Sequence, residues 1–291
     1  MNKKPSKAFS LIELSIVILI IGVLIAAVGQ GIDLLYDARL KAAQMLTQSS
    51  RVASIKNLVT WFETTQESSF SAAETSNGST ISTWYDINPQ MPIKNNATQP
   101  SGTANLHPIY TENCINNLPC LKFDGANSFL TTSQNFGTPS SFNLFVVAQI
   151  TVKGTTDDND STLIAATTGA SFRLHVGPYD SFDLQFEGGN DALSTGIIKA
   201  GSTYIFEIID NGNNAYTYAN GVNRTQSAAT TTTLVKNLGI FEIGAYSHPG
   251  IRNRYLNGKI SEIIIFDRNL TTKERVSVES YLGKKWNIPL Q

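Results

Sequence analysis

Near the N-terminus the chain carries a nearly unbroken apolar run, from Phe9 to Val28, in which Glu13 is the single charge. Twenty residues in helical form span about 30 Å, one hydrocarbon thickness. Beyond it, apolar and small residues recur at Leu35, Ala38, Ala42, Met45, Ser49, Val52, Ile55 and Val59, mostly three or four apart. That spacing predicts one stripe of an amphipathic helix, packed on the rest of the chain. No proline lies between Pro5 and Pro89 to break it. The helix is expected over 9–57, with its membrane part at about 9–28.

From Leu58 the periodicity changes. Short β-like runs alternate with Asn, Gly, Ser and Thr: Leu58–Phe62, Ile81–Tyr85, Leu121–Phe123, Phe142–Ile150, Tyr204–Ile209, Tyr216–Asn220, Leu238–Ile243 and Lys259–Phe266. In Ser181–Glu187, Phe182, Leu184 and Phe186 alternate with polar residues, as in a half-buried strand. Asn77-Gly78, Asp124-Gly125, Asn211-Gly212, Asn220-Gly221 and Asn257-Gly258 are expected to be hairpin turns. Thr271–Lys285 reads as a helix capped by Asn269 or Thr271, with Val276, Val278, Tyr281 and Leu282 as its apolar contacts. Many strands with one late helix predict a mainly β, antiparallel sandwich over 58–291.

Charge refines this picture. The 291 residues carry a formal net charge of −1, and no basic surface points to nucleic acid. Lys3, Lys4 and Lys7 precede the apolar run without an acid among them, which orients the flank to the cytoplasm and exports the remainder of the chain. Removal of residues 1–8 leaves 19 basic against 23 acidic side chains. The two cysteines, Cys114 and Cys120 in CINNLPC, suit a disulfide in an exported domain better than a zinc site, because the chain has only three histidines. Two reduced thiols are the alternative.

The segment KKPSKA-FSLIE resembles the type IV prepilin family: a short basic leader ending in a small residue, then Phe, then Glu at the fifth mature position. Here these are Ala8, Phe9 and Glu13; most members have Gly where this chain has Ala8. The resemblance implies a leader over 1–8 that prepilin peptidase removes, methylation of the Phe9 amine, and docking through Glu13 among other pilin or pseudopilin subunits. It places the chain in the inner membrane before assembly, then in a pilus or pseudopilus, periplasmic or at the cell surface. Farther on, LVTWFETT, ISTWYDIN, NNATQPSGTANLHPIY, LPCLKFDGANSFLTT and LNGKISEIIIFDRNLTTKERVSVESYLGKKWNIPL together resemble the laminin-G-like, concanavalin A-like jelly-roll family, over roughly Leu58 to Pro289. That resemblance implies two packed antiparallel sheets and no particular ligand.

Hydrolases of concanavalin type use two close carboxylates, in Glu-x-Asp-x-x-Glu or Glu-x-Asp-x-Glu on one strand. Neither pattern occurs, so the chain is expected not to be an enzyme and to need no cofactor. Asp157, Asp158 and Asp160 form an acidic loop whose hard oxygens would suit Ca2+; a solvated turn competes with that reading. Tyr246, His248, Arg252 and Arg254, read as loop residues around Pro249-Gly250, combine a stacking face with planar donors for a glycan or a host surface protein. The expected function is a minor pilin or pseudopilin that displays an adhesin-like domain. A purely structural pseudopilin of type II secretion is the alternative, ahead of a glycan-active enzyme.

Overall fold

The computed structural model describes residues 11–99, 106–152, 160–167, 172–177, 182–185, 192–194, 198–225, 229–230, 238–248 and 251–291. The apolar run forms part of α1, Leu11–Ser49, which ends short of residue 57 because Ser50 and Arg51 lead into a separate short turn at Val52–Ser54. The chain divides into two units, one up to Ala42 and one from Ala43 to Gln291. In the first, Leu11, Ile16, Leu24 and Val28 are all exposed, so the helix presents apolar side chains around its circumference. It is long and apolar enough to cross a membrane.

The second unit is built on two antiparallel sheets. The first runs β14 (Val222–Asn223), β13 (Asn214–Ala219), β12 (Thr203–Asp210), β7 (Phe142–Ile150), β19 (Asn257–Phe266), β5 (Leu118–Asp124) and β4 (Ile109–Ile115). In addition β1 (Leu58–Glu63) pairs with β19, and β15 (Ala229–Thr230) with β13. The second sheet runs β11 (Ala192–Ser194), β10 (Phe182–Gln185), β9 (Arg173–Val176), β8 (Ser161–Ala166), β16 (Phe241–Ile243), β6 (Leu130–Thr132), β3 (Ala97–Thr98) and β2 (Thr83–Trp84). A separate two-stranded hairpin joins β17 (Tyr246–His248) to β18 (Ile251–Asn253).

The inner faces of the two sheets meet in a core that includes Phe62, Trp84, Phe123, Val146, Leu174, Phe206, Phe241 and Ile263. The first sheet is buried on its other face too. There Trp61, Phe145, Ile264 and Phe266 pack with Ala43 from the last turns of α1 and with Tyr281, Leu282 and Trp286 of α2 (Thr272–Trp286). Burial on both sides explains why β7 and β19 read as continuous apolar runs. At the end of α1 the packed residues are Ala43, Gln44 and Thr47, whereas Leu35 and Met45 of the expected stripe are exposed. On α2, Val276 is likewise exposed while Val278, Tyr281 and Leu282 are buried. The N-cap is Thr271, in a reciprocal capping box with Glu274. Its hydrogen bonds and charge contact with Arg268, with further bonds from Thr271, hold the Glu274 carboxyl down at about 2.

The turn dipeptides fare unevenly. Asn220-Gly221, both at positive φ, closes the β13–β14 hairpin, and Asn211-Gly212 lies in the β12–β13 turn. Asp124-Gly125 instead leads from β5 toward β6 in the other sheet, with the Asp124 carboxylate accepting hydrogen bonds from the backbone of 126, 127 and 128. Asn257-Gly258 lies inside β19, where a Cβ on Gly258 would stand 2.4 Å from the Gln149 carbonyl oxygen. In CINNLPC the chain forms the β4–β5 hairpin, turned by Asn116 and Asn117 at φ 53° and 54° and spanned by the Cys114–Cys120 disulfide. The Leu238–Ile243 run is strand only from Phe241.

Beneath α2 the core is ionic. Glu63 of β1 and Glu262 of β19 are cross-strand partners, a pairing that like charges make unfavourable. Lys285 enters from α2, its Nζ 2.6 Å from Glu63 Oε2 and 3.1 Å from Glu262 Oε2, and all three side chains are fully buried. A second acid pair, Glu207 of β12 and Glu279 of α2, shares Arg275 at 3.3 and 2.8 Å. Burial and the neighbouring Glu279 push the Glu207 carboxyl well up.

Candidate functional site

With α2 over one face of the sandwich, the outer face of the second sheet is the other broad surface of the unit. Strand alternation populates it. On β9, Leu174 and Val176 point to the core, which turns Arg173 and His175 outward. On β16, Phe241 and Ile243 are core residues and Glu242 faces out. Register sets Thr131, Glu242, Ala165 and Arg173 in one row across β6, β16, β8 and β9.

The β17–β18 hairpin is attached to this sheet by a narrow stem. The chain leaves β16 through Gly244 at φ +84° and returns at Leu256, whose N–H donates to the Gly244 carbonyl. Residues expected in loops are therefore strand residues: Tyr246 and His248 on β17, Arg252 on β18. The Arg252 guanidinium donates twice to Glu242 Oε1, from Nε at 2.9 Å and from a terminal nitrogen at 2.6 Å, and lies 3.8 Å over the Phe129 ring. The hydrogen bond to Glu242 holds Arg252 above its ordinary value. Glu242 is 1% exposed. Its Oε2 and the Thr131 Oγ1 beside it in the row are buried and have no hydrogen-bond partner among the described residues.

On the same face, Asp160 gathers basic side chains. Its Oδ2 lies 2.9 Å from Arg173, 2.9 Å from His175 Nδ1 and 3.5 Å from Arg254. Burial alone would raise this carboxyl; the hydrogen bond from His175 and the charges of His175, Arg173 and Arg254 hold it below the usual carboxylate range. Both guanidiniums also approach the Tyr246 ring, Arg173 at 4.9 Å and Arg254 at 5.5 Å from its centroid. The fold thus brings Tyr246, Arg252 and Arg254 together with Asp160, from the loop assigned to calcium. Here the Asp160 carboxylate is engaged by Arg173 and His175 of β9 and by Arg254. Asp157 and Asp158 lie outside the described residues, as do Ala8, Phe9 and the His248 side chain; Glu13 sits in the first turn of α1. Among the described residues no three His, Cys, Asp or Glu side chains converge as a metal site. Arg173, His175, Glu242 and Phe129 escaped the sequence reading; the alternation Arg-Leu-His-Val at 173–176 was the signal for the first two.

Residues 125–274, more than half of the chain, match the family described as the concanavalin A-like lectin/glucanases superfamily. The chain belongs to that superfamily. Ahead of the concanavalin A-like sandwich, residues 3–29 match the prokaryotic N-terminal methylation motif, which makes the chain type IV pilin-like and implies prepilin peptidase processing and assembly with other pilins. No curated protein matches this concanavalin A-like chain. Solved structures share its fold. Trypanosoma rangeli sialidase in complex with sialic acid matches at TM-score 0.54 and 15% identity, over 81% of this chain and 34% of that one. The binding domain of Paraclostridial Mosquitocidal Protein 1 matches at 0.55 and 12%, over 78% of this chain and 52% of that one. Domain 4 of AbnA, a GH43 extracellular arabinanase from Geobacillus stearothermophilus, in complex with arabinotriose, matches at 0.53 and 14%, over 77% of this chain and 98% of that one. The chain spans about a third of the sialidase's length.

Proposed function

We propose that this protein is a minor type IV pilin whose concanavalin-like body displays a non-catalytic glycan-binding surface on the outer face of its second sheet. The observation that carries the reading is the methylation motif at 3–29 joined in one chain to a concanavalin A-like sandwich at 125–274. Residues 1–8 are the leader, cut between Ala8 and Phe9. The Phe9 amine is then methylated, and Glu13 compensates a neighbour's amine as the subunit docks. The body is exported and rides on the filament.

Three features support the binding surface. Tyr246 offers an aromatic ring beside two guanidiniums. Arg252 and Arg254, both partly exposed, bring planar donors suited to sugar hydroxyls to the same face. Domain 4 of AbnA, which shares the fold over nearly its whole length, is complexed with arabinotriose. A non-catalytic role is supported by the placing of the acid pairs: Glu63 with Glu262 and Glu207 with Glu279 lie under α2, on the opposite side of the sandwich from the hairpin.

Mass spectrometry of protein from the membrane should find Phe9 as a methylated N-terminus; a start beyond Val28 or at Met1 would overturn the processing. On a glycan array carrying arabino-oligosaccharides and sialylated sugars, the detergent-solubilised chain should bind a defined subset. Tyr246→Ala with Arg254→Ala should weaken that binding at least tenfold, about 1.4 kcal/mol. Arg252 is left in place because its loss would strand the buried Glu242 carboxylate. Unchanged binding by a folded double variant would move the site elsewhere, and glycan cleavage would overturn the non-catalytic reading.

A further inference from the structure

The ionic core under α2 brings one amine and two carboxyls into direct contact. We propose that Lys285 and Glu262 condense to an intramolecular isopeptide bond, with Glu63 as the proton carrier. The primary amine of Lys285 lies 3.1 Å from Glu262 Oε2, and both side chains are fully buried. The other oxygen of that carboxyl, Oε1, accepts hydrogen bonds from Trp61 Nε1 and the Tyr281 hydroxyl, each at 2.8 Å. Two donors converging on one oxygen polarise the carbonyl and are placed to stabilise the oxyanion that an attacking amine creates. Trp286 Nε1 donates to Oε2 at 2.8 Å and fixes the plane of the group.

Glu63 is built differently. Its Oε2 lies 2.6 Å from the Lys285 amine and also accepts from Thr65 N and Thr65 Oγ1; its Oε1 accepts from Ser69 Oγ and from the Gln66 N–H. These donors anchor it as a carboxylate against the amine. Burial would raise its pKa, but the charge and hydrogen bond of Lys285 and the bonds from Thr65 bring it below the ordinary range. Burial raises the Glu262 carboxyl in spite of Lys285 and the bonds from Trp61 and Trp286, and the nearby Glu63 charge adds to that rise.

The step balances without a further reagent. The Lys285 ammonium gives a proton through Glu63 to Glu262 Oε2, and the free amine attacks Glu262 Cδ while Oε1 takes the negative charge. Glu63 then takes a proton from the attacking nitrogen and passes it to the Oε2 hydroxyl. The Cδ–Oε2 bond breaks, one water leaves, and the products are a neutral amide and the Glu63 carboxylate. Burial favours this direction by keeping bulk water from the amide.

The test is the mass of the full chain purified in detergent, denatured with its disulfide intact. The expected mass is lower than that of the disulfide-bonded sequence, as processed, by one water. After trypsin, a branched peptide should join Ile260–Arg268 to Lys285–Gln291, because an acylated Lys285 still follows a cleavable Lys284. Glu63→Gln should regain the full mass. A wild-type chain of full mass, or a branch through Glu63 in place of Glu262, would overturn the proposal. A Glu63→Gln chain still one water light would overturn the role given to Glu63. The wild-type mass decides the matter even if that variant fails to fold.

Discussion

Lys285→Met is expected to lower the stability of the body by roughly 3–5 kcal/mol, the cost of removing one partner from a buried ion pair. The substitution leaves Glu63 and Glu262 facing each other across β1 and β19 with no cation between them. If the amine is acylated, the loss is of the same kind, because Glu262 reverts to an acid opposite Glu63. The deficit has a pH signature. With Lys285 as the free ammonium, the Glu63 carboxyl is lowered, so its contribution is present above the unfolded carboxyl's range and fades as pH falls toward the folded value. In the variant, burial and mutual repulsion raise both carboxyls, so stability is lost as pH rises through the ordinary carboxylate range. Urea unfolding followed by tryptophan fluorescence should show a small deficit at about pH 4 and the full deficit at neutral pH. Equal deficits at both would mean that Lys285 contributes packing alone.

Gly244→Ala should have a comparable effect for a different reason. The position has φ +84°, and an added Cβ would stand 2.4 and 2.5 Å from two ring carbons of the buried Phe123. Backbone strain of about 1–3 kcal/mol and overpacking of about 1–3 kcal/mol both apply. Together they predict a melting temperature lower by roughly 5–20 °C. Because Gly244 carries the stem of the β17–β18 hairpin, any glycan binding should fall further than the unfolded fraction accounts for. A variant that melts as the wild type does would show that the Phe123 ring swings aside at little cost.

Legibility in the sequence tracked burial. Phe142–Ile150 was readable to the residue because it is apolar on both faces, and α2 announced itself through the Thr271 cap and the Glu274 that completes the box. Strands of two or three residues, such as β2, β3 and β6, are too short to show a period. The β4–β5 turn was hidden because Asn116-Asn117 supplies both positive φ angles without a glycine. The hairpin residues were readable by chemistry and not by conformation: Tyr246, Arg252 and Arg254 stood out as a loop cluster, whereas their partners Arg173, Glu242 and Asp160 lie on distant segments joined only by register. The same holds for Lys285. On its own helix it reads as a solvent-facing lysine near the C-terminus, and nothing local reveals two acids from β1 and β19 beneath it.

The β17–β18 hairpin forms its own small sheet, and its backbone ties to the sandwich sit at its base, at Gly244, Leu256 and the Arg254 carbonyl that accepts from the Thr162 N–H. Tyr246, Ser247 and His248 pair with Asn253, Arg252 and Ile251, within the hairpin itself. The hairpin's backbone pairing is therefore self-contained, and what fastens it to the sandwich beyond its stem is side-chain chemistry: Arg252 works as a latch, one end on the Glu242 carboxylate and its flat face on the Phe129 ring.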